Sequence, residues 1–462
     1  MLTHRDLRDP IHGFVRIEGP ECDIVDTPIF QRLRRIRQLA MAYLVYPGAM
    51  HTRFEHTLGV LHVAGRLCTK LDIDDSHRRI VRLAALLHDI GHGPFSHVSE
   101  EVLAELATEE AKTKAGGTDK IHELITREII RSDASLGYLI ATKDRDDVIT
   151  LLDKGLDQPI YRDLVSGPID ADKQDYLLRD SYHCGVRYGL YDIDRLHDVL
   201  SRVSDERGDA LAVDDDGVHT MEQFVLARYY LTTQVIRHKG RLISDAMLVR
   251  GLTLGVRTDK IDFLKRLYSF ESGQAFIDEY VSWNDERLVS RLLEPDQTAT
   301  WAGKFMRRLA ERRLFKVMFR RLVTDIPALA LNVGGVAAIA PTLESEIAEA
   351  LSQHSGGTVH PEEVIVKIQK SPPTRKSEGN VLIRLPNGQP QTFESRSLIF
   401  KSIDQSLREE HLECYAPFEE SDEQRRQKIR TEIGELVTRR VQELLSSGSP
   451  TAGVSSEGSH AS

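Results

Sequence analysis

Cysteine is scarce in this 462-residue chain, which contains only Cys22, Cys68, Cys184 and Cys414. The four lie far apart and form no CxxC motif, so we expect neither a disulfide framework nor a cysteine-based zinc site. Long apolar runs are also lacking, because no stretch approaches the roughly 20 residues that span a bilayer. We therefore expect a cytoplasmic protein with free thiols and no membrane partner.

A positive net charge is lacking as well, since 71 acidic residues outnumber 61 basic ones and give a formal net charge of −10. This balance argues against general binding to nucleic acid or anionic lipid, although a local basic pocket is compatible with it. The hydrophobic content of 40% and the charged content of 29% are those of an ordinary globular protein. A chain of this length can bury a large core, and it exceeds the usual size of one domain.

Helical periodicity dominates the chain. After an extended hairpin within residues 1–30, apolar residues recur at three- and four-residue spacing through 56–71, 78–90, 100–108, 121–131, 172–183, 221–237, 243–253 and 304–322. The acidic stretch 204–219 predicts a surface loop or a small hairpin. Later segments, EVIVKIQ, NVLIRLPNGQPQTF and LECYAPF, alternate like strands, with Asn387-Gly388 as a hairpin turn.

These patterns predict a mainly α fold. We expect a multi-helix domain over residues 1–340 and a smaller α+β domain over 341–445, which ends in a charged helix from Ser421 to about Leu445. Residues 446–462 are rich in serine and glycine and are expected to be disordered.

The chemistry centres on LAALLHDIGHGPFSH, residues 83–97, where a buried amphipathic helix ends in His88-Asp89. A lone His-Asp pair is more often a helix cap or a satisfied polar pair than a metal site. Two other helical segments add potential ligands: residues 51–65 contain His56, and residues 167–180 contain several aspartates. A histidine, a His-Asp pair and a distant aspartate can close a four-ligand site that leaves positions for water and substrate. Such ligands suit Zn, Fe, Mn, Ni or Co, and the carboxylates also accept Mg.

The blocks FEHTLGV, LLHDIGHGPFSH and IDADKQDYLLRD resemble the signature of the HD-domain phosphohydrolases. More narrowly, they are similar to deoxynucleoside triphosphate (dNTP) triphosphohydrolases of the SAM-and-HD-domain type and their bacterial homologues. The resemblance begins at LRDPIHGF and remains traceable to EEVIVKIQKSPP. It implies an HD-domain core, a divalent metal ion, and hydrolysis of a dNTP to a deoxynucleoside and tripolyphosphate.

The resemblance also implies roles for individual residues. The metal ligands would be His56, His88, Asp89 and Asp172. Asp170 competes with Asp172 for the last position, and we favour a helix N-cap for Asp170. Contacts with the triphosphate would come from Arg53, Lys173, Tyr176 and Arg228, and contacts with the sugar from Gln38, Leu39 and Asp180. For the cations, the alternative is an ion pair between helices. The general acid or base would be His92, His97 or His122, which we treat as three alternatives.

Two features leave the substrate and its regulation open. Thr232 and Ile236 stand where the family has a histidine and a tyrosine, so the base and the preference for deoxyribose are not determined. A second set of residues matches a nucleotide activator site that would bind GTP or a dNTP: Asp26, Gln31, Arg34, Arg312 and Lys316. The alternative is an ordinary basic helix face in QRLRRIRQ. Because these residues come from distant parts of the chain, we expect a homo-oligomer, a dimer or a tetramer.

Two classes of function compete. The first is a metal-dependent nucleotide phosphohydrolase, with the dNTP triphosphohydrolase preferred over an HD-type phosphomonoesterase or phosphodiesterase. The second is a nucleic-acid-binding or nuclease-like HD protein that uses the basic helices 31–37 and 306–321 on an acidic body. The two classes differ in their products and in the salt dependence of polynucleotide binding.

Overall fold

The computed structural model describes residues 4–447, apart from 116–120, 154, 206–207, 272, 355–356, 370–375 and 407–409. The chain divides into two compact units, which are Met1–Leu314 with Thr374–Ser406, and Phe315–Pro373 with Leu407–Ser462. The fold is mainly α with a smaller α+β unit, as the sequence predicts. The predicted tail falls outside the described residues from residue 448 onward.

The first unit opens with an antiparallel hairpin of β1 (His4–Asp9) and β2 (Gly13–Glu18). Its helices are α1 (Pro20–Val25), α2 (Pro28–Gln31), α3 (Arg53–Lys70), α4 (Asp75–Leu87), α5 (His97–Leu106), α6 (Glu109–Ala115), α7 (Ile121–Ser132), α8 (Ala134–Leu139), α9 (Thr142–Asp153), α10 (Pro159–Ser166), α11 (Ala171–Cys184), α12 (Ile193–Val199), α13 (Val218–Leu231), α14 (Lys239–Arg257), α15 (Asp262–Tyr268), α16 (Gln274–Val281), α17 (Asp285–Leu292) and α18 (Trp301–Ala310). A π-helical turn, Thr232–Ile236, follows α13.

Helix α3 packs against both α4 and α11, and these three helices carry the candidate site. Local sequence sets where each begins. Thr52 and Glu55 form a capping box at the start of α3, and Asp74 caps α4. Asp170 caps α11 by accepting a hydrogen bond from the backbone N–H of Lys173, which is the role that the sequence favoured for it.

A four-stranded sheet in the first unit has the order β3–β4–β7–β8. The acidic stretch folds as a hairpin of β3 (Leu200–Asp205) and β4 (Gly208–Asp214), which confirms one of the two predicted alternatives. A second hairpin, β7 (Leu382–Arg384) and β8 (Pro390–Thr392), turns at Gly388 with φ of +77° and pairs in parallel with β4. Three short helices accompany it: α21 (Lys376–Gly379), α22 (Phe393–Arg396) and α23 (Leu398–Ser406).

The second unit is a three-stranded antiparallel sheet of order β5–β9–β6 with helices. Its elements are β5 (Lys316–Leu322), α19 (Pro327–Leu331), α20 (Val336–His354), β6 (Ile365–Gln369), β9 (His411–Ala416) and α24 (Glu423–Ser447). Its core joins α20 and α24 through Ile347, Leu351, Ile433 and Val437. The expected final charged helix is therefore confirmed, and no helix in the described part of the chain is long and apolar enough to cross a membrane.

Two expectations differ from the structure. The helix expected over 304–322 is wrong beyond Ala310, because Arg312 adopts φ of +54° and the chain continues as strand β5. The division between the units falls at 314/315 rather than at 340, and residues 374–406 return to the first unit. The reason is strand pairing, since β5 pairs with β9 while β7 pairs with β4.

Candidate metal centre

The ends of three helices bring the predicted metal ligands together. His56 lies in the first turns of α3, His88 caps the C-terminus of α4, and Asp172 lies in the first turn of α11. Their ligand atoms all lie within 4.8 Å of one another. Asp89 completes the set, with Oδ1 3.3 Å from Nε2 of His88. Four side chains that are up to 116 residues apart in the chain thus converge on one place.

The two histidines have the hydrogen bonds that metal ligands need. Nδ1 of His56 lies 2.8 Å from the Asp175 carboxylate, and Nδ1 of His88 lies 2.8 Å from the carbonyl oxygen of Ala85. These contacts assign the proton to Nδ1 in both rings, so each Nε2 keeps its lone pair. Both Nε2 atoms are buried without a hydrogen-bond partner among the described residues. They lie 3.0 and 4.0 Å from Oδ1 of Asp172.

This arrangement fits a divalent cation. Two ligand atoms each about 2.1 Å from one ion and at right angles to each other are about 3 Å apart, which is close to the separation of His56 Nε2 and Asp172 Oδ1. Burial lowers the pKa of His56, but the carboxylates of Asp172 and Asp175 outweigh it and raise the pKa to about 10. A positive charge is therefore favoured where the ligand atoms meet. A metal ion would supply that charge and displace the proton.

A layer of hydrogen bonds behind the ligands holds His56 in place. Asp175 is fully buried and also accepts hydrogen bonds from His12, at 2.7 Å, and from Arg179, at 2.8 and 2.9 Å. Arg179 in turn donates to Asp9 at 2.9 Å. The close approach requires glycine at position 59, because a Cβ there would lie 1.9 Å from Oδ1 of Asp175.

Arg53 joins the metal centre to the loop after α4. It is buried, forms an ion pair with Asp89 and donates through Nε to Ser96 Oγ at 2.8 Å. Its second terminal nitrogen is buried with no hydrogen-bond partner among the described residues. Arg53 therefore forms an ion pair between helices, which was the alternative to phosphate binding. Its second terminal nitrogen can still donate to a further acceptor.

The three candidate catalytic histidines surround one carboxylate, that of Glu100 on α5. Glu100 Oε1 lies 2.7 Å from Nδ1 of His92, and Oε2 lies 3.1 Å from Nδ1 of His97 and 3.3 Å from Nδ1 of His122. Burial raises the pKa of Glu100, but the three histidines outweigh it and hold that pKa well below its usual range. His92 also lies 3.1 Å from Asp89, which links this group to the metal centre.

The three rings differ in their surroundings. Burial lowers the pKa of His122 to about 3, so this ring is neutral near pH 7. Burial also lowers the pKa of His92, but Asp89 and Glu100 outweigh it and the net shift is upward. The side chain of His97 is 63% exposed, so among the three it has the most open access to solvent.

Two of the other predicted phosphate ligands, Lys173 and Arg228, are paired with carboxylates of the protein. The amine of Lys173 lies 2.5 Å from Asp170 and 2.9 Å from the carbonyl oxygen of Gly167. Arg228 forms an ion pair with the buried Glu378 of α21. Burial raises the pKa of Tyr176 against the opposing effect of Arg228 and Lys173.

Two of the predicted sugar ligands, Asp180 and Gln38, contact His51, which stacks on His183. Asp180 lies 2.8 Å from Nε2 of His51, and the His51 ring stacks on His183 with centroids 4.5 Å apart. The backbone N–H of Gln38 donates to the His51 carbonyl at 3.1 Å. Gln38, Leu39 and Asp180 are all buried, and Oε1 of Gln38 has no hydrogen-bond partner in the described part of the chain.

The predicted activator residues fall into separate groups. Gln31 accepts a hydrogen bond from Arg34 at 2.8 Å, and Asp26 forms an ion pair with Arg5 at 3.0 Å. Arg312 donates to the carbonyl oxygen of Leu44 at 2.9 Å in the first unit. Lys316 begins β5 in the second unit and is exposed.

Four residues of the site received no role from the sequence: Asp175, His12, Glu100 and His51. Asp175 and Glu100 were part of the quoted or periodic segments but had no signal of their own. No role follows from the sequence for His12 or His51, whereas the structure gives each of them a buried carboxylate partner. Their partners are 163 and 129 residues away, so no local pattern could identify them.

Comparison with known protein families matches two regions of the chain. The HD domain matches residues 53–163, and the HD associated region matches residues 191–436. The first match contains three of the four predicted ligands, His56, His88 and Asp89.

Individual relatives are similar over most of the chain. The uncharacterized protein YwfO of Bacillus subtilis is 31% identical over 325 residues, which are 67% of this chain and 70% of that protein. The deoxynucleoside triphosphate triphosphohydrolase SAMHD1 homolog of Dictyostelium discoideum is 30% identical over 342 residues. These cover 69% of this chain and 60% of that protein, so the chain spans less than two thirds of it. The crystal structure of a hypothetical protein from Aquifex aeolicus superposes with a TM-score of 0.67 at 28% identity, covering 93% of this chain and 100% of that chain.

Proposed function

Because the chain belongs to the HD-domain family and carries its HD associated region, we propose that it is a metal-dependent dNTP triphosphohydrolase. The observation that carries the proposal is the pair of buried Nε2 lone pairs of His56 and His88 beside Asp172. Family membership supports phosphohydrolase chemistry, and the relative from Dictyostelium, named as a dNTP triphosphohydrolase, supports the choice of substrate.

The metal ion would be held by His56, His88, Asp89 and Asp172. Mg, Mn, Fe, Co, Ni or Zn would suit this mixture of imidazole and carboxylate ligands. When bound, such an ion supplies Lewis-acid polarisation of a phosphoryl oxygen and an acidified water. Residues of the chain would bind the substrate and transfer the proton.

Arg53 would bind the triphosphate through its unpartnered nitrogen, since a buried guanidinium donor next to the metal centre can hydrogen-bond a phosphate oxygen. Lys173 and Arg228 would neutralise the charge of the remaining phosphates, and Tyr176 would hydrogen-bond to them. Positioning and charge neutralisation dominate phosphoryl transfer, so these contacts would hold the α-phosphorus in line. Gln38, Leu39 and Asp180 would contact the sugar.

We assign the proton transfer to one of the three histidines around Glu100. His97 is the preferred residue, and His92 and His122 are the alternatives. His97 is the most exposed of the three rings, and Glu100 orients its Nδ1. It would protonate the departing 5′-oxygen, which is a poor leaving group without general acid help. Water would attack the α-phosphorus, and the products would be a deoxynucleoside and tripolyphosphate.

Hydrolysis in ¹⁸O-labelled water tests this reaction. Attack at the α-phosphorus places the label in tripolyphosphate and none in the nucleoside. Attack at the γ-phosphorus would release labelled orthophosphate and leave a dNDP, which is the alternative phosphohydrolase chemistry. Label in the nucleoside 5′-hydroxyl would contradict attack at phosphorus altogether.

A panel of dNTPs, NTPs, nucleoside monophosphates and cyclic dinucleotides, each with several divalent metals, tests the substrate class. We expect turnover of dNTPs to exceed that of the other compounds. Phosphomonoesterase or phosphodiesterase activity, or cleavage of polynucleotides by a nuclease-like activity, would place the chain elsewhere in the HD-domain family.

We also propose nucleotide activation and self-association in the cytoplasm. Asp26, Gln31 and Arg34 would read the base of GTP or a dNTP, and Arg312 and Lys316 would bind its phosphates. Sedimentation with and without nucleotide tests this, and a monomer under both conditions would contradict it.

A further inference from the structure

A cavity with several basic residues in its wall lies in the first unit. It is separate from the predicted metal, substrate and activator residues. It measures about 640 Å³ and is lined by residues of β1, β2, α3, α4 and α12. A cavity of this volume is in the range that holds a nucleotide or another small molecule. None of the residues of its wall belongs to the predicted sites.

Cations outnumber acids in this wall, although the chain as a whole is acidic. The cations are Arg16, Arg66, Lys70, Arg78 and Arg82. The acids are Asp6, Glu18 and Asp198. Asp6 pairs with Arg16 at 2.8 Å, and Arg82 is held by Glu21, so the charge that a ligand can use lies on Arg66, Lys70 and Arg78.

Three of the cations have charge available for a ligand. The amine of Lys70 donates to the main-chain carbonyl oxygen of Asp198 at 2.8 Å. The nearest carboxylate to Arg78, that of Glu18, is 3.9 Å away, and the buried Nε of Arg78 has no hydrogen-bond partner among the described residues. Arg66 pairs with Asp194, whose side chain is 79% exposed, and such an exposed pair contributes little free energy. Arg66 can therefore turn to a bound anion at small cost.

Arg82 forms the fixed part of the wall. It donates two hydrogen bonds to the buried carboxylate of Glu21, at 2.6 and 2.8 Å, and a third to the carbonyl oxygen of Arg16. Glycine at position 65 makes room for it, because a Cβ there would lie 2.4 Å from the Arg82 guanidinium. Arg82 is thus a preorganised element, whereas Arg66 and Lys70 extend from the neighbouring face of α3.

Two residues separate the cavity from the metal centre. His62 lines the cavity, and its ring stacks on that of His12 with centroids 4.9 Å apart. His12 contacts Asp175, which contacts the metal ligand His56. A ligand in the cavity and a ligand at the metal centre therefore occupy different positions, and the two can be counted separately.

We propose that this cavity is a second anion-binding site, which takes a small molecule carrying a polyphosphate group. Several guanidinium and ammonium donors around one cavity match the several oxygens of a triphosphate. Phe14, which is exposed at the wall, offers a ring on which a nucleobase can stack. The shared chemistry is the polyphosphate, supplied by a nucleoside triphosphate or by inorganic polyphosphate.

Calorimetric titration of the metal-loaded full chain with inorganic tripolyphosphate tests the proposal. In the Arg66→Ala/Lys70→Ala variant, we expect the number of bound tripolyphosphate ions per chain to fall by one. The matched control is Arg266→Ala/Arg291→Ala, which removes two cations from other surface ion pairs of the same unit. It should keep the wild-type number.

Lys70→Glu is a second variant, since it reverses the charge of an exposed side chain. This substitution should weaken tripolyphosphate binding at the cavity at least tenfold. Competition by a non-hydrolysable dNTP analogue then separates the sources. Displacement of tripolyphosphate from the site that contains Lys70 identifies a nucleotide, and retention identifies inorganic polyphosphate.

An unchanged number of sites in the double variant, or an equal loss in the control, would overturn the proposal. The count does not depend on turnover, so it is separate from the proposed activity. If the chain hydrolyses no dNTP and the number of sites still falls by one, the proposed function fails and this site stands.

Discussion

The carboxylate of Asp175 lies 2.8 Å from Nδ1 of His56, while the Nε2 atom of the same ring faces Asp172 at 3.0 Å. One imidazole thus joins a buried carboxylate to the place where the metal ligands meet. The contact fixes the tautomer and the orientation of the ring and raises its basicity as a ligand. The metal centre therefore depends on a residue that does not itself coordinate the metal.

We predict that Asp175→Asn weakens metal affinity about 10- to 100-fold, because the carboxylate no longer holds the Nδ1 proton. Metal dissociation constants measured by competition with a chelator check this. Asp278→Asn, on the exposed surface of α16, is the control and should leave the affinity unchanged. Equal affinities in the wild type and Asp175→Asn would show that the contact has no role in metal binding.

We predict that Asp89→Ala abolishes both metal content and hydrolysis while the helical content is retained. The substitution removes an anionic ligand and leaves the buried cation of Arg53 without its partner. Elemental analysis, an activity assay and circular dichroism check the three parts. A variant with bound metal and full turnover would contradict the ligand assignment.

We predict that Glu100→Gln lowers the turnover number about 10²- to 10⁴-fold and leaves metal content unchanged. The amide cannot stabilise positive charge on His92 and His97, and general acid catalysis contributes factors of this size. Turnover and metal content are measured on the same preparation. Loss of the metal as well would make Glu100 a structural part of the metal centre instead.

We predict that Asp285→Asn changes how stability depends on pH. Burial raises the pKa of Asp285 to about 6, against hydrogen bonds from the backbone N–H groups of Phe95 and Arg37. The folded protein therefore binds this proton more tightly than the unfolded chain, whose aspartate pKa is about 3.9. The stability that the protonated Asp285 contributes to the folded protein is complete below about pH 4, and it is lost as the pH rises through 6.

Asparagine cannot ionise, so the variant should gain stability relative to the wild type by about 1 to 3 kcal/mol between pH 4 and pH 7. Urea denaturation at several pH values in that interval measures the difference. Asp278→Asn again serves as the control. Parallel curves for the wild type and Asp285→Asn would show that Asp285 is ionised throughout.

Local sequence was sufficient for most of the helical architecture. Amphipathic periodicity identifies α3, α4, α7, α11, α13 and α14, and Asp170 was correctly interpreted as an N-cap. The limit of this signal is visible at 304–322, where a helical pattern runs into strand β5. A short apolar run fits both the helical repeat and the two-residue repeat of a strand. Pairing with β9, almost a hundred residues later, decides in favour of the strand.

For the candidate site, the sequence by itself determined which residue types are present: His56, the pair His88-Asp89 and Asp172, each on a helix of its own. Only the tertiary structure decided what stands behind and around them. Asp175 contacts His56 and His12, which are 119 and 163 residues away in the sequence, and Glu100 contacts three histidines. Such contacts depend on how helices pack, and helix packing is set by the whole core rather than by neighbours in the chain. The division of the two units was decided in the same way, because β7 joins β4 through a strand pairing that no local pattern encodes.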